Sequence, residues 1–235
     1  GAEGFKHLTF TGDVGRPDDK ILNAPEPFRQ ADYIICESTY GDRLHESSIE
    51  SLDKLEHIIH KTCVVQKGKV IIPAFSLGRT QELVYALDIL KTQNKIPNIK
   101  VFVDSPLSAK TTAIMREHMN LLNNEIKAYI DRTDGDPFIF KDIKYITKVE
   151  DSKSLNSFKE PCIIISASGM AEAGRIKHHI KNHVEDSRNT ILIVGYSSPG
   201  GLADRLKKHE PEVRIFGQFF SVNATVETLE SFSAH

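Results

Sequence analysis

The sequence predicts an α/β fold, a mainly parallel sheet with helices on both faces, and three observations carry that prediction. Short apolar runs at 70–72, 101–103, 163–165 and 191–194 alternate with longer amphipathic stretches. The runs lack polar alternation, so each strand is expected to be covered on both sides, as parallel strands are. The passages from run to helix are short and rich in Ser and Gly, as strand-to-helix turns of such folds are.

In chain order, residues 6–13 read as a short buried strand that stops at Gly12 and delivers Asp13 beyond its end. Val14-Gly15-Arg16-Pro17 cannot extend a strand. An aspartate there either closes a turn through its own backbone or stands ready as a metal ligand or general base. Residues 32–41 repeat the pattern, an apolar strand followed by Glu37-Ser38-Thr39-Tyr40-Gly41. Ser47 with Glu50 makes a capping box, after which Ile49, Leu52, Leu55, Ile59 and Cys63 mark one apolar helical face up to Gly68. A strand over 70–75, a helix over 79–90 and a strand over 101–104 follow. A long helix then runs from 106 toward 130, its start marked by Ser105 as N-cap and Pro106 in the first turn. Residues 133–160 are the least regular part, with one strand expected at 143–147 and no chemistry. The pattern resumes with a strand over 162–166, a helix over 170–184, a strand over 190–196, a short helix from Leu202 and a strand over 213–216. The sequence closes with Phe232-Ser233-Ala234-His235.

A hydrophobic fraction of 40% over 235 residues is ample for a core, and a net charge of -2 with 26% charged residues excludes a globally basic nucleic-acid binder. Any phosphate binding must therefore be local. Cys36, Cys63 and Cys162 all lie in apolar runs, which predicts buried thiols in a reducing compartment and no zinc-type cysteine motif. No apolar run approaches the roughly 18 residues of a membrane span, and the N-terminus lacks a signal-peptide pattern. The expectation is a cytoplasmic protein with no membrane partner.

In an open parallel sheet the ligand crevice lies beyond the carboxyl ends of the strands. The loops there are Phe75-Ser76-Leu77-Gly78-Arg79, Asp104-Ser105-Pro106-Leu107-Ser108, Ser166-Ala167-Ser168-Gly169-Met170 and Ser197-Ser198-Pro199-Gly200-Gly201. Free helix amides joined by serine hydroxyls suit an anion such as phosphate, although the same residues suit any tight turn. Ser76, Arg79, Ser166, Ser168, Gly169, Arg175 and Arg205 are the candidate phosphate or polyanion contacts. His179 and His183, with His178, share helix 170–184 with Lys177 and Lys181, which reads as a solvated or RNA-facing side rather than a metal site. Met170, Ile176, Ile180 and Val184 read as core. No complete Walker or dinucleotide fingerprint is present.

Taken together, Phe10-Thr11-Gly12-Asp13 with Gly15-Arg16-Pro17, Glu37-Ser38-Thr39-Tyr40-Gly41, Ser166-Ala167-Ser168-Gly169-Met170 and Phe232-Ser233-Ala234-His235 resemble the β-CASP branch of the metallo-β-lactamase superfamily. The likeness runs along nearly the whole chain and is strongest to bacterial and archaeal ribonucleases related to the eukaryotic pre-mRNA 3′-end processing endonuclease. The resemblance implies that Asp13 corresponds to the aspartate bridging two zinc ions, Glu37 to the first β-CASP acidic residue, and His235 to the closing zinc-ligand histidine. A histidine at that position is similar to RNA-cleaving members, whereas DNA-cleaving relatives usually carry valine. The family's other accessory histidine belongs in segment 200–206, where Arg205 stands instead.

Such enzymes take most zinc ligands from an upstream His-x-His-x-Asp-His segment, and no His-x-His occurs among the ten histidines here. Asp13 and His235 fall short of the three or so protein ligands of a catalytic zinc. The resemblance thus implies a piece of a longer protein: residues 1–41 as a partial metallo-β-lactamase domain, 42–203 as the β-CASP domain and 204–235 as the return segment. The expected function is zinc-dependent hydrolysis of an RNA phosphodiester by the longer protein, with two zinc ions, RNA as partner and homodimer formation left open. The chain alone is expected to bind RNA weakly without cleaving it, with Asp13 an unoccupied carboxylate. The rival expectation is a noncatalytic RNA-binding or scaffold subunit, against which the retention of Asp13, Glu37 and His235 argues. A small-molecule hydrolase of the wider superfamily has no evident need of the inserted α/β domain.

Overall fold

The computed structural model describes residues 4–28, 30–39, 41, 48–133 and 135–229. Tyr40, the capping Ser47 and the closing 232–235 motif with His235 lie outside the described residues. Strands β1 (Leu8–Phe10) and β2 (Tyr33–Ile35) pair in parallel, with Leu8 opposite Tyr33. They form a separate two-stranded sheet. The expected burial of this first strand is not met: Leu8 is 64% and Phe10 74% exposed, because β1 and β2 ladder only with each other and no second layer of described residues covers them. Cys36 follows β2 and is likewise exposed, which corrects its expected burial; Cys63 and Cys162 are buried.

The body of the molecule begins with helix α1 (Ser48–Ile59), which continues as a π-helical turn over His60–Val65. Leu55, Ile59 and Cys63 of the expected apolar face are buried. Then come β3 (Lys69–Pro73), α2 (Arg79–Thr92), β4 (Lys100–Asp104), α3 (Pro106–Glu117), α4 (Asn124–Thr133), β5 (Ile143–Ile146) and α5 (Val149–Ser154). The chain continues through β6 (Cys162–Ser166), α6 (Arg175–His183), β7 (Thr190–Val194), α7 (Leu202–Lys207), β8 (Glu212–Ile215), β9 (Gln218–Ser221) and β10 (Thr225–Leu229).

Six strands make one parallel sheet in the order β10-β7-β3-β6-β4-β5. Their side chains alternate between two apolar clusters. Val70, Ile72, Val101, Val103, Ile163 and Ile165 face the layer of α1, α2 and α4, while Ile71, Phe102, Ile164, Ile191 and Ile193 face that of α6 and α7. Two cores on one sheet explain the unbroken apolar runs in the sequence.

Three boundaries differ from the sequence reading. The helix expected over 106–130 is two helices, because Asn123 interrupts it: its side-chain oxygen accepts the Ile126 amide at 2.9 Å, an N-cap for α4. The same residue binds the N-terminal segment, its amide donating to Ile21 O at 2.9 Å and its side chain to Asp19 O at 2.7 Å. Helix α6 starts at Arg175 rather than Met170, since residues 167–174 fold into a closed loop. There the Ser168 hydroxyl accepts the Ala173 amide at 3.3 Å, and Gly174, at φ +79, sits so near Ala167 that a Cβ would meet its carbonyl at 2.5 Å. Finally, β10, unmarked in the sequence reading, lies beside β7 on the main sheet. Its Thr225, Glu227 and Thr228 break the apolar pattern because this strand lies at the sheet edge.

Candidate RNA-binding edge and its acidic companions

Strands β3, β4, β6 and β7 all end on one edge of the sheet, which gathers the loops singled out in the sequence. Ser76 Oγ lies 3.1 Å from Ser105 Oγ, and Ser105 also accepts the Ser108 amide as cap of α3. Ser166 is buried and donates to the Asp104 carbonyl at 2.8 Å, so it binds two strand ends together rather than facing solvent. Ser168 is spent within its own loop. Gly169 is required by a close approach, since a Cβ would stand 2.6 Å from the Phe75 ring. Arg205, at the surface of α7, donates to Gly200 O at 3.3 Å and pairs with Glu210 at 3.9 Å.

The strongest electrostatic feature of this edge is Asp104, fully buried at the end of β4. Arg175 donates to its Oδ1 at 2.7 Å, while Ser152 Oγ at 2.5 Å and His179 Nε2 at 2.7 Å share its Oδ2. Burial raises the Asp104 pKa, but the hydrogen bonds from His179, Ser152 and Arg175 outweigh it and hold the carboxyl below the usual carboxylate range. Arg175 also donates to Thr147 O at 2.8 Å. The sequence reading missed Asp104, although the carboxyl end of a parallel strand is where such a group is sought. It also placed no chemistry in 133–160, the segment that supplies Ser152 and the Thr147 carbonyl.

His179 and His183 are not on the solvated side of α6; both are buried, which corrects the reading of this helix. They extend the apolar stripe of Ile176 and Ile180, while Lys177 and Lys181 lie over the rings of Phe216 and Phe220. Burial first, then nearby Lys69 and His179, bring His183 down from 6.5 to about 4. The unfolded chain therefore takes up a proton near pH 6.5 that the folded chain refuses until about 4. The stability from neutral His183 is whole above the first value and is lost as pH falls through the second. Glu82 acts in the opposite sense over an overlapping range, so His183 must be read by difference. The stability gap between the protein and its His183→Gln variant is expected to shrink by about 2 kcal/mol from pH 8 to pH 5 in urea unfolding. A gap independent of pH would rule this out.

Asp13 and Glu37 come together at the ends of β1 and β2. The Val14 amide donates to Glu37 Oε1 at 2.6 Å, Thr39 Oγ1 donates to Oε2 at 2.7 Å, and the Glu37 amide donates to Thr11 Oγ1 at 3.3 Å. Glu37 thus holds the residue after Asp13, and Asp13 itself is exposed. Beyond it, Arg16 Nη2 lies 3.6 Å from Glu82 Oε1 of α2, and Arg79 Nε lies 3.9 Å from Oε2. Arg79 is therefore not at the surface but 7% exposed, its guanidinium against Gly195. Burial pushes Glu82 up to about 7 against the pull of Arg79 and Arg16, and neighbouring Asp19 adds to the rise.

Among the described residues no three His, Cys, Asp or Glu side chains are grouped to hold a metal ion. The described residues do not by themselves fit a metal centre. No described helix is long and apolar enough to cross a membrane.

The Beta-Casp domain family matches residues 80–206, more than half of the chain. The chain is similar to Ribonuclease TTHA0252 of Thermus thermophilus, with 33% identity over 228 residues that cover 97% of this chain and 52% of the relative. It is also similar to cleavage and polyadenylation specificity factor subunit 3 of Dictyostelium discoideum, 33% identical over 97% of the chain and 29% of the relative. Transcription termination factor FttA of Methanosarcina mazei is 28% identical over 99% of the chain and 38% of the relative. The chain thus spans about half, or less, of the length of these curated relatives. With the parallel sheet, the Ser166–Gly169 loop and the paired Asp13 and Glu37 segments all in place, the chain belongs to the Beta-Casp family.

Proposed function

We propose that the chain is the RNA-clamping part of a longer ribonuclease, contributing Asp13, Glu37 and His235 to its catalytic centre and the carboxyl edge of the six-stranded sheet to its substrate groove. One observation carries the reading: the Arg16–Glu82 contact sets the Asp13 loop beside the N-terminus of α2, on the edge where the serine and glycine loops gather. The exposed rings of Phe75 and Tyr196 on that edge offer faces on which unpaired bases stack. The naming of similar proteins as a ribonuclease and a cleavage factor supports the same reading. The finer parts of the proposal are zinc as the metal of the longer protein, a cytoplasmic site of action and, where the chain self-associates, a homodimer.

The test is cleavage of an unstructured RNA by the longer protein and by the 235-residue chain, each with added zinc. The expected result is cleavage by the former and salt-sensitive binding without cleavage by the latter. Metal-dependent cleavage by the short chain, free of contaminating nuclease, would overturn the division of labour. Binding without cleavage by a metal-loaded longer protein would return the noncatalytic scaffold in its place.

A further inference from the structure

The Asp13 loop is held from two sides. On its own sheet, Glu37 accepts the Val14 amide and so fixes the residue that follows Asp13. From the α/β body, Glu82 meets Arg16 at 3.6 Å with both side chains nearly buried, at 11% and 10% exposure. Glu82 also meets Arg79, whose guanidinium packs on Gly195 at the end of β7; a Cβ at that glycine would stand 2.9 Å from Arg79 Nη1. The contact does not stand alone. The following residues run on into the body, with Ile21 in the apolar core, Asn123 donating from its side chain to Asp19 O and from its amide to Ile21 O, and Lys20 paired with Glu125 at 3.2 Å.

We infer that Glu82 is a positioning residue for the Asp13 loop: through Arg16 it fixes the loop against the α/β body, so that this domain sets the geometry of the acidic centre as well as gripping RNA. Ionised above a pKa of about 7, a carboxyl between two arginines at low exposure suits the role. Partly desolvated ion pairs are weakly screened by salt and keep their geometry, unlike exposed pairs such as Lys20–Glu125. The loop gains from such a hold because Gly12, at φ +59 with nothing within 4 Å of where a Cβ would stand, brings no side-chain packing of its own next to Asp13. Mispositioning a catalytic group by about 1 Å can cost on the order of 100-fold in rate, so a contact three residues from Asp13 can matter without touching substrate.

The inference rests on the proposed role of Asp13 only for its kinetic consequence, so two readouts are paired. The first is hydrogen exchange of the Val14 amide in Glu82→Gln, Arg16→Met, the double variant, Arg16→Lys and the control Glu125→Gln. Exchange at Val14 is expected to rise about tenfold in either single variant. It is expected to rise no further in the double variant, because both changes remove one contact, and to stay near the starting rate in Arg16→Lys and Glu125→Gln. Protection of the β3 and β6 amides confirms an intact body, and Arg16→Met decides the matter if Glu82→Gln does not fold. The second readout is kinetic, in the longer RNA-cleaving protein, where kcat is expected to fall about tenfold or more with KM within about twofold. Unchanged Val14 exchange in the folded single variants, or additive effects in the double variant, would overturn the inference. A longer protein that never cleaves RNA would instead overturn the proposed function, and the exchange result would still decide the role of Glu82.

Discussion

Replacing Asp104 with alanine is expected to cost about 3–5 kcal/mol of folding stability, measured by urea unfolding at neutral pH. The magnitude follows from what is left behind rather than from the carboxylate alone. Ser152, Arg175 and His179 all converge on Asp104, and the His179 ring is itself buried. Removing the acceptor strands the Arg175 charge beside Ile146 and Thr147 and leaves donors facing a cavity. Asparagine keeps the shape and one acceptor oxygen, so Asp104→Asn is expected to cost distinctly less than alanine. Equal losses in the two variants would mean that the lost carboxylate charge, not the cavity, dominates. Because Arg175 opens α6 directly after loop 167–174, Asp104→Ala is also expected to loosen that loop, read as faster exchange of the Ala173 amide.

Gly68→Ala is expected to be the other large loss, about 3 kcal/mol or more by the same measurement. A Cβ at Gly68 would stand 1.8 Å from the Arg188 carbonyl oxygen and 2.4 Å from its carbonyl carbon. These are backbone atoms, so no rotamer change relieves the overlap. The strand that must shift is held on both sides. The Lys69 amide donates to Asn189 Oδ1 at 2.8 Å, Asn189 Nδ2 donates to His183 O at 3.0 Å, and the Thr225 amide donates to Asn189 O at 3.0 Å. Movement at Gly68 would therefore disturb the starts of β3, β7 and β10 together. Gly12→Ala is the contrast, since nothing lies within 4 Å and only its φ of +59 is unfavourable. That variant is expected to lose about 1–2 kcal/mol, the cost of a left-handed backbone for an L-residue. Comparable losses at the two glycines would show that the backbone next to Gly68 relaxes freely.

The sequence by itself determined the α/β architecture. The runs at 70–72, 101–103, 163–165 and 191–194 had to be strands covered on both faces, because nothing in them could meet water on either side. It also determined that the serine and glycine loops share one edge, since parallel strands joined by helices end on the same side. Local chemistry placed the start of α3, where Ser105 and Pro106 act together. What the sequence could not decide were contacts between distant residues. His179 and His183 looked polar because residue type records no partner, and only the fold brings His179 to Asp104 across 75 positions. Leu8 and Phe10 looked buried because apolarity predicts a wish for cover and not its presence. Arg79 looked ready for phosphate when read along the chain. Only the tertiary structure shows it 7% exposed beside Glu82, which the fold sets between it and Arg16, so its guanidinium faces a carboxyl inside the protein rather than an outside anion.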